Sequence, residues 1–194
     1  MLTQYGHGEI KWGGEVYRLA PTFINIAKLG TPSEIIETFK HFIAEKNVVH
    51  KFNCALNIVR TCCDRELPVE LTGTIKFSER QQRFLIVNPA HGEAMVNDII
   101  ILAEHCLIHG VSGKVDIDDI DEDAKPMEEF DAYKFMELAR IHLGMWVEES
   151  GNMTMTEWLR MMTAKFPEQR DDDKPTRKEE KAMLDWYFNK EKAH

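Results

Sequence analysis

Two pairs of side chains, one of histidine and cysteine and one of two histidines, could bind a metal ion. Within each pair the two residues are one helical turn apart. His50 and Cys54 form one pair, and His105 and His109 form the other. Structural zinc sites favour Cys-x2-Cys knuckles, and the sequence has none. A catalytic His-Glu-x-x-His pair needs a glutamate after its first histidine, whereas a cysteine follows His105. Buried thiols and surface imidazoles are therefore expected, with a zinc-binding small enzyme or regulator kept as an alternative.

The acidic residues 116–123 invite comparison with the calcium-binding loop of an EF-hand. Asp119, Asp121 and Asp123 have the spacing of the first, third and fifth positions of such a loop. The sixth position requires glycine and the twelfth requires glutamate, but Ala124 and Phe130 stand there. Six acids in eight residues are typical of a solvated linker, so we expect no metal ion here.

Motifs for nucleophilic catalysis or phosphate binding do not occur in the sequence. It has no Gly-x-Ser-x-Gly elbow, no Walker phosphate loop and no Gly-x-Gly-x-x-Gly turn. The four cysteines include the neighbours Cys62 and Cys63, and the expectation is reduced, buried thiols. These observations predict a protein that is not an enzyme and needs no cofactor.

The net charge of the chain indicates which kind of macromolecule it can bind. The chain has 194 residues, with 33 acidic against 24 basic side chains and a net charge of -9. Because nucleic acids and anionic membranes attract basic surfaces, this balance disfavours both and favours other proteins as partners. The N-terminus lacks the pattern of a signal peptide, and the longest apolar run, residues 99–103, is too short to span a membrane. A cytoplasmic location is expected.

The first 20 residues predict a β-hairpin. Polar and apolar residues alternate over residues 9–12 and 15–19, and Gly13 and Gly14 between them suit a tight turn. A two-stranded hairpin is marginal in water. Its apolar face is therefore expected to dock on a helical body or on a partner.

Capping residues mark the helices that follow. Pro21 suits the first turn of a short helix that Gly30 ends. Thr31 and Glu34 form a capping box in front of a second helix. Apolar residues at helical spacing predict a third helix over residues 47–65.

The stretch after the third helix is harder to assign. Residues 67–77 contain a proline, a glycine and several β-branched residues, which fit a short strand or an irregular connection. Ser78 and Gln81 have the spacing of a capping box and predict a short helix through Phe84 and Val87.

Two longer helices are predicted next. A wide apolar stripe over residues 94–109 indicates a central helix that Gly110 ends. Residues 127–149 are rich in aromatic side chains and methionine and predict one helix that ends at Gly151.

Two capping boxes predict the last helices. Thr154 and Glu157 precede one, which Pro167 ends, and Thr176 and Glu179 precede the other. The predicted fold is mainly α, with an N-terminal β-hairpin docked on a multi-helix bundle. In chain order it has a hairpin over 1–20, a helical body over 21–112, an acidic linker over 113–126, a helical hairpin completing the body over 127–167, and a charged linker with a C-terminal helix over 168–194.

Methionine and aromatic side chains in the C-terminal third predict a protein-contact surface. Seven of the ten methionines fall between residues 127 and 162, and flexible thioethers suit surfaces that accept irregular partners. Core packing accounts for some of them, but Met161 and Met162 are neighbours on a helix and cannot both point inward. The predicted partner-binding residues are Trp146, Trp158, Met161, Met162, Phe166, Trp186, Tyr187 and Phe188.

Two stretches carry a resemblance to known proteins. Residues 16–23, which read Val-Tyr-Arg-Leu-Ala-Pro-Thr-Phe and run into residues 26–30, resemble the opening of tail assembly chaperones of long-tailed, siphovirus-type bacteriophages and prophages. In that family a β-hairpin ends in an Arg-Leu-x-Pro-Ser/Thr-Phe pattern before the first helix. Residues 153–158 through 165–167 are similar to a late helix of phage proteins encoded near the tail genes.

The resemblance implies a non-enzymatic assembly factor in the cytoplasm of a bacterial host. Such chaperones bind the tape-measure protein and recruit tail-tube protein before the tube polymerises, and they are absent from the finished virion. A structural virion component, either a head–tail connector or a tail terminator, is the first alternative. The sequence leaves self-association of the chain open.

Overall fold

The computed structural model describes residues 2–87, 89–114 and 128–166. The chain divides into two units, Met1–Met162 and Thr163–His194, and only residues 163–166 of the second unit are described. The predicted acidic linker beyond residue 114, the aspartates of the calcium comparison and the C-terminal helix all lie outside the described residues. The same holds for Trp186, Tyr187 and Phe188.

The predicted N-terminal hairpin is confirmed. Strand β1 (Gly8–Trp12) pairs antiparallel with β2 (Glu15–Leu19). Gly13 and Gly14 both have positive φ, at 58° and 83°, which is the backbone that a two-residue hairpin turn requires. The turn glycines thus set the register of the hairpin.

The first hairpin is tied to the end of a core helix, α3 (Val48–Cys62). The Ala20 N–H donates to the Cys62 carbonyl at 2.9 Å, and the Asp64 N–H donates to the Arg18 carbonyl at 2.9 Å. Leu19 is 1% exposed between these bonds. Strand β2 is therefore fixed both by backbone hydrogen bonds and by burial of its last side chain.

Helices α1 (Phe23–Ala27) and α2 (Pro32–Ala44) both form. The prediction that Pro21 lies in the first turn of α1 is wrong, because Thr22 is the N-cap and the helix begins at Phe23. The capping box of α2 is formed, because the Thr31 N–H donates to Glu34 Oε2 at 2.7 Å and the Glu34 N–H donates to Thr31 Oγ1 at 3.4 Å. These backbone and side-chain hydrogen bonds from Thr31 lower the pKa of Glu34. Local chemistry alone thus places the start of α2.

The core forms around α3 and α5 (Glu93–Leu107), which pack against each other more extensively than any other pair of helices in the described residues. Their facing side chains are fully buried or nearly so: Phe52, Ala55, Ile58, Val59, Cys62, Ile99, Ala103, Cys106 and Leu107. Shape-filling apolar contacts of this kind are the main source of stability in such a body.

The prediction that Gly110 ends the central helix is wrong. The helix continues as a π-helical turn, Ile108–Ser112, and ends at Gly113, which has φ of 76°. A Cβ on Gly110 would lie 2.7 Å from the Ile26 side chain and 3.0 Å from the Pro21 carbonyl. Gly110 is therefore needed for close packing against the chain around α1 and does not act as a helix stop.

The combined helix Glu93–Ser112 is long and apolar enough to cross a membrane, judged by length and composition alone. In this fold 44% of its apolar window is buried. A core helix passes the same test, and α5 packs on α3 as part of the core.

The predicted helix through Phe84 and Val87 is also wrong. A second hairpin forms instead, in which β3 (Thr74–Ser78) pairs antiparallel with β4 (Arg83–Val87). Ser78 Oγ accepts a hydrogen bond from the Gln81 N–H at 3.3 Å, so the serine closes the turn and does not cap a helix. The undecided stretch before it contains a short helix, α4 (Val69–Thr72), and strand β3.

The single helix predicted for residues 127–149 is wrong, because Gly144 divides it. Helix α6 (Ala132–Leu143) is capped by Asp131 Oδ1, which accepts the Tyr133 and Lys134 N–H groups. Gly144 has φ of 71° and ends the helix in the left-handed conformation. A short helix, α7 (Val147–Gly151), follows.

Helix α8 (Met155–Lys165) begins at the predicted capping box. The Thr154 N–H donates to Glu157 Oε2 at 2.9 Å, and the Glu157 N–H donates to Thr154 Oγ1 at 3.2 Å. Over the part of the chain that the structure describes, the fold is thus helix-dominated with two small antiparallel hairpins. The mainly α prediction is confirmed in that broad form, although the body is not purely helical.

Candidate functional site

An exposed apolar face lies on α6 and α7. Its four side chains, which define the Trp146 face, are Trp146 at 79% exposure, Ile141 at 74%, Tyr133 at 64% and Val147 at 55%. Tyr133 and Ile141 stand eight residues apart on α6 with Glu137 between them, so the three share one side of the helix. Single exposed apolar residues are ordinary, but four within fifteen residues indicate a contact surface.

The opposite side of α6 holds this face in place. Ala132 and Ala139 are buried, and the Phe135 ring stacks on Phe23 and Phe130 with centroid distances of 5.8 and 5.2 Å. Trp158 meets the same Phe135 ring edge-on at 5.0 Å. Aromatic clusters of this type are among the stronger packing contacts, so α6 is a firm support for its outer residues.

Helix α7 packs closely on α1. A Cβ on Gly151 would lie 2.4 Å from Ile24 Cδ1, so a larger residue here would have to displace the Ile24 side chain. The Trp146 N–H donates to Glu149 Oε2 at 2.9 Å. The backbone of Trp146 is therefore held while its indole projects into solvent.

The structure separates the predicted partner-binding residues into two groups. Trp146, Met161 and Phe166 are exposed, the last two at 42% and 49%. Trp158 and Met162 are half-buried, and Trp158 packs against the aromatic cluster. Within the described residues the buried Trp158 Nε1 has no hydrogen-bond partner.

Sequence reasoning missed three members of the Trp146 face: Tyr133, Ile141 and Val147. The available signal was that apolar residues 133 and 141 lie off the stripe formed by Ala132, Phe135 and Ala139. An amphipathic helix that carries large apolar residues on its polar side predicts a contact surface.

The densest cluster of titratable side chains joins the N-terminus to α5 and α8. The His105 and His109 ring centroids are 4.3 Å apart, and His7 Nε2 lies 3.3 Å from Glu157 Oε1. His105 Nε2 is 3.1 Å from the Gly6 carbonyl oxygen. We call these four side chains, His7, His105, His109 and Glu157, the histidine cluster.

Thr156 and Gly6 complete the surroundings of His109, which is 4% exposed. The Thr156 hydroxyl oxygen lies 2.8 Å from His109 Nδ1 and accepts the Lys114 N–H at 2.9 Å. Gly6 has φ of 97°, and a Cβ there would lie 2.4 Å from His109 Cβ. Only glycine allows the N-terminal segment to approach the histidine this closely.

The histidine cluster has strongly unequal proton affinities. Burial, helped by the nearby His105 and Lys114, lowers the pKa of His109 to about 4, and burial also lowers the pKa of His105. The hydrogen bond to Glu157 raises the pKa of His7. Burial opposes ionisation of Glu157, but hydrogen bonds from His7 and Thr154 outweigh it and lower the pKa of this carboxyl.

Perturbed imidazoles and a carboxylate are the groups that acid–base catalysis uses, but structural networks also perturb pKa values. Here the His7–Glu157 and His105–Gly6 contacts join the N-terminal segment to α8 and α5. The Thr154 hydroxyl adds another such bond by donating to the Tyr5 carbonyl at 2.8 Å. Across residues 2–87, 89–114 and 128–166, no group of three or more His, Cys, Asp or Glu side chains could hold a metal ion. The bonds from Glu157, His105 and Thr154 hold residues 5–7 against the body.

His50 and Cys54, the other pair weighed as metal ligands, and the remaining cysteines are involved in local contacts. His50 Nδ1 lies 3.7 Å from Glu45 Oε2 at the start of α3. Burial raises the pKa of Cys54. Cys62 and Cys106 are fully buried, and the hydrogen bond between their thiols, together with burial, raises the pKa of Cys106 well above its ordinary value. A raised pKa favours the protonated thiol of Cys54 and Cys106, which is a poor nucleophile.

The comparisons with known proteins place the chain in a family. The model of a family of unknown function (DUF6246) matches residues 41–182. The chain belongs to this family. No curated protein and no solved structure matches it. The matched region contains the Trp146 face, the second hairpin and three members of the histidine cluster, but not the first hairpin or His7.

Proposed function

We propose that this protein is a non-enzymatic, protein-binding assembly factor that uses the Trp146 face to hold apolar segments of a client. The observation that carries the proposal is the 79% exposure of Trp146 on a backbone fixed by Glu149 and by the packing of α7 on α1. An exposed tryptophan on a fixed backbone, with exposed aliphatic and aromatic side chains on the same two helices, has the composition of an interface hot spot.

The polar surroundings of the face support a soluble complex. Residues 128–150 contain six acidic and two basic side chains. Interface cores are depleted in charge while their rims are polar. Glu148 neighbours Val147 at the start of α7, whereas Glu137 lies between Tyr133 and Ile141 on α6. Client binding would cover the apolar residues and leave an acidic surface in water.

The identity of the proposed client is based on the sequence resemblance. Residues 16–23 resemble the opening of tail assembly chaperones, and this supports tape-measure and tail-tube proteins of a bacteriophage or prophage as clients. In the structure these residues form the end of β2 and its junction with α1, which is the hairpin-to-helix arrangement that the resemblance implies. The proposed setting is the cytoplasm of the bacterial host, before the tail polymerises.

The test is co-expression with the tape-measure and tail-tube proteins of the phage or prophage that carries the gene. We expect a stable complex with at least one of them, and we expect Trp146→Ala to weaken it by about 2 kcal/mol or more, which is roughly 30-fold in affinity. Isothermal titration calorimetry measures the change. A wild-type protein that binds neither client contradicts the proposed clients.

A matched pair of isoleucines provides the control. Ile141 belongs to the Trp146 face, whereas Ile101 is an exposed residue of α5, at 56%. We expect Ile141→Ser to weaken client binding and Ile101→Ser to leave it unchanged. Equal effects of the two substitutions would show that the Trp146 face is not the binding surface. Mass spectrometry of purified virions addresses the alternative, since a structural virion component would be present there and an assembly chaperone absent.

A further inference from the structure

The second hairpin ends in a basic and aromatic tip. Residues 76–84, called here the hairpin tip, carry Lys76, Arg80 and Arg83 against one acid, Glu79. All three cations are exposed, and within the described residues none of them forms a salt bridge. This is a local positive charge on a chain whose net charge is -9.

Two phenylalanines accompany these cations. Phe77 and Phe84 are 50% and 53% exposed and meet edge to face with ring centroids 5.2 Å apart. Beside Phe84 and Arg83 lies a groove of about 500 Å³, whose other wall includes Val48 and His50 at the start of α3. The hairpin tip thus offers both apolar surface and unpaired positive charge.

The base of the same hairpin is anchored. Ile75 and Ile86 form a cross-strand pair and pack, half-buried, against the core. Because the side chains of a strand alternate between its faces, Phe77 and Phe84 continue this apolar face outward beyond the part that the core covers. The tip therefore extends an apolar surface whose base packs on the core. Phe77 and Phe84 at the tip stay exposed within the described residues.

The Trp146 face has the complementary character. It presents Trp146, Ile141, Tyr133 and Val147 among six acidic and two basic residues. The exposed carboxylates Glu137 and Glu148 stand next to its apolar side chains. An acidic apolar face and a basic aromatic tip on one chain are the two halves of a heterologous contact.

We propose that the hairpin tip of one copy binds the Trp146 face of a second copy, so that copies of the chain associate head to tail. Phe77 and Phe84 cover the apolar residues, while Arg80 and Arg83 pair with Glu137 and Glu148. The inference rests on the proposed function in one respect, because self-association covers the same face that a client would take. A client then displaces the neighbouring copy.

Nucleic acid fits the hairpin tip less well than a second copy does. Aromatic and basic side chains on a hairpin can stack bases and neutralise phosphates, but three cations provide little counterion release. The remaining surface of a chain with a net charge of -9 repels a polyanion.

The interface expected from these residues is small, so association is weak and concentration-dependent. Sedimentation velocity of the full chain over a concentration series should show a mean mass that rises above the 22.5 kDa monomer. Raising the salt from about 50 mM to about 500 mM should reverse the increase, because the charge pairs become screened. A chain that remains monomeric at every concentration overturns the proposal.

Charge reversal locates the contact. Arg80→Glu with Arg83→Glu replaces attraction by repulsion and should raise the dissociation constant at least tenfold, since like charges across an interface are strongly unfavourable. Lys40→Glu with Arg60→Glu changes the net charge equally at exposed residues of α2 and α3 and should leave association unchanged. Equal effects of the two double variants would mean that net charge, and not the hairpin tip, controls association.

Restoring the pairs completes the test. Adding Glu137→Arg and Glu148→Arg to the Arg80→Glu, Arg83→Glu variant reverses both halves of the contact and should bring association back. Failure of this rescue would remove the Trp146 face as the partner of the tip. Binding of a short single-stranded oligonucleotide by the wild-type chain, lost in the Arg80→Glu, Arg83→Glu variant, would replace the proposal by nucleic-acid recognition.

The proposed self-association and the proposed function can be tested independently of each other. The tip substitutions should leave client binding intact, whereas Trp146→Ala should weaken both client binding and self-association. Loss of self-association in the tip variant together with unchanged client binding supports both. Client binding that Trp146→Ala does not alter contradicts the proposed function, even when the tip variant behaves as expected.

Discussion

The two β-hairpins have the same strand length and the same antiparallel pairing, but their surroundings differ. In the first, Tyr17 and Leu19 are buried, and the strand end hydrogen-bonds to the end of α3. In the second, none of the ten strand residues is buried, all of them being described. Because a lone two-stranded hairpin is marginal in water, the first serves the fold, whereas the second projects a surface.

Truncating one apolar side chain in each hairpin gives the largest expected difference. Leu19→Ala should lower the free energy of unfolding by about 3 kcal/mol, because it leaves a cavity at a residue that is 1% exposed. Phe84→Ala should cost about 1 kcal/mol, mainly the contact with Phe77. Urea unfolding followed by tryptophan fluorescence measures both. Equal losses would mean that the second hairpin is as much a part of the core as the first.

Acid should loosen the segment that precedes the first hairpin. His109 has a pKa of about 4 in the folded protein and 6.5 as its ordinary value. Between these values the unfolded chain binds more protons, so stability falls as the pH drops below about 6.5. The expected loss between pH 7.5 and pH 5 is about 2 kcal/mol.

Two neighbours modify this pH dependence. His105, whose pKa is also lowered, acts in the same direction. His7 acts in the opposite direction, because its raised pKa adds stability that is present at low pH and lost as the pH rises. The His7–Glu157 pair is partly exposed, so its contribution is small. His109→Asn should flatten the dependence measured by urea unfolding at the two pH values, whereas the exposed control His41→Asn should keep it.

The smallest expected effect lies in the turn of the second hairpin. Gln82 has φ of 49°, a left-handed backbone that glycine adopts without cost. Its side chain donates to the Glu79 carbonyl at 2.7 Å, which offsets part of the strain. Gln82→Gly should therefore stabilise the protein by only about 0.5 kcal/mol, as measured by the urea midpoint. A loss of stability would show that the side-chain hydrogen bond outweighs the backbone strain.

Features set by neighbouring residues could be predicted from the sequence. The Gly13-Gly14 turn and the capping boxes of Thr31 with Glu34 and of Thr154 with Glu157 are local, and all three formed. Ser78 shows the limit of such reasoning, because the same serine side chain can cap a helix or close a turn. Residues 83–87 form strand β4 and not a helix, so here Ser78 closes a turn.

Features set by distant residues could not be predicted. Gly110 and Gly144 look alike in the sequence, yet Gly110 packs against Ile26 and Gly144 ends a helix. The contact between Gly6 and His109 joins residues that are more than a hundred positions apart, and no local sequence pattern predicts it. The Trp146 indole was predicted to meet a partner, but its isolation from the core depends on where Gly151 places α7.

The bonds from residues 5–7 to residues 154–157 also have a consequence for how the chain matures on the ribosome. His7 and Glu157 are separated by 150 positions, and the Phe23 N–H donates to the Met153 carbonyl at 2.9 Å. The N-terminal segment therefore leaves the ribosome first but gains its partners only after α8 begins to emerge. At a typical elongation rate of about 5–20 residues per second, this segment waits for roughly 7 to 30 seconds. Until Phe130 and Phe135 have also emerged, Phe23 lacks the rings that it packs against in the folded protein.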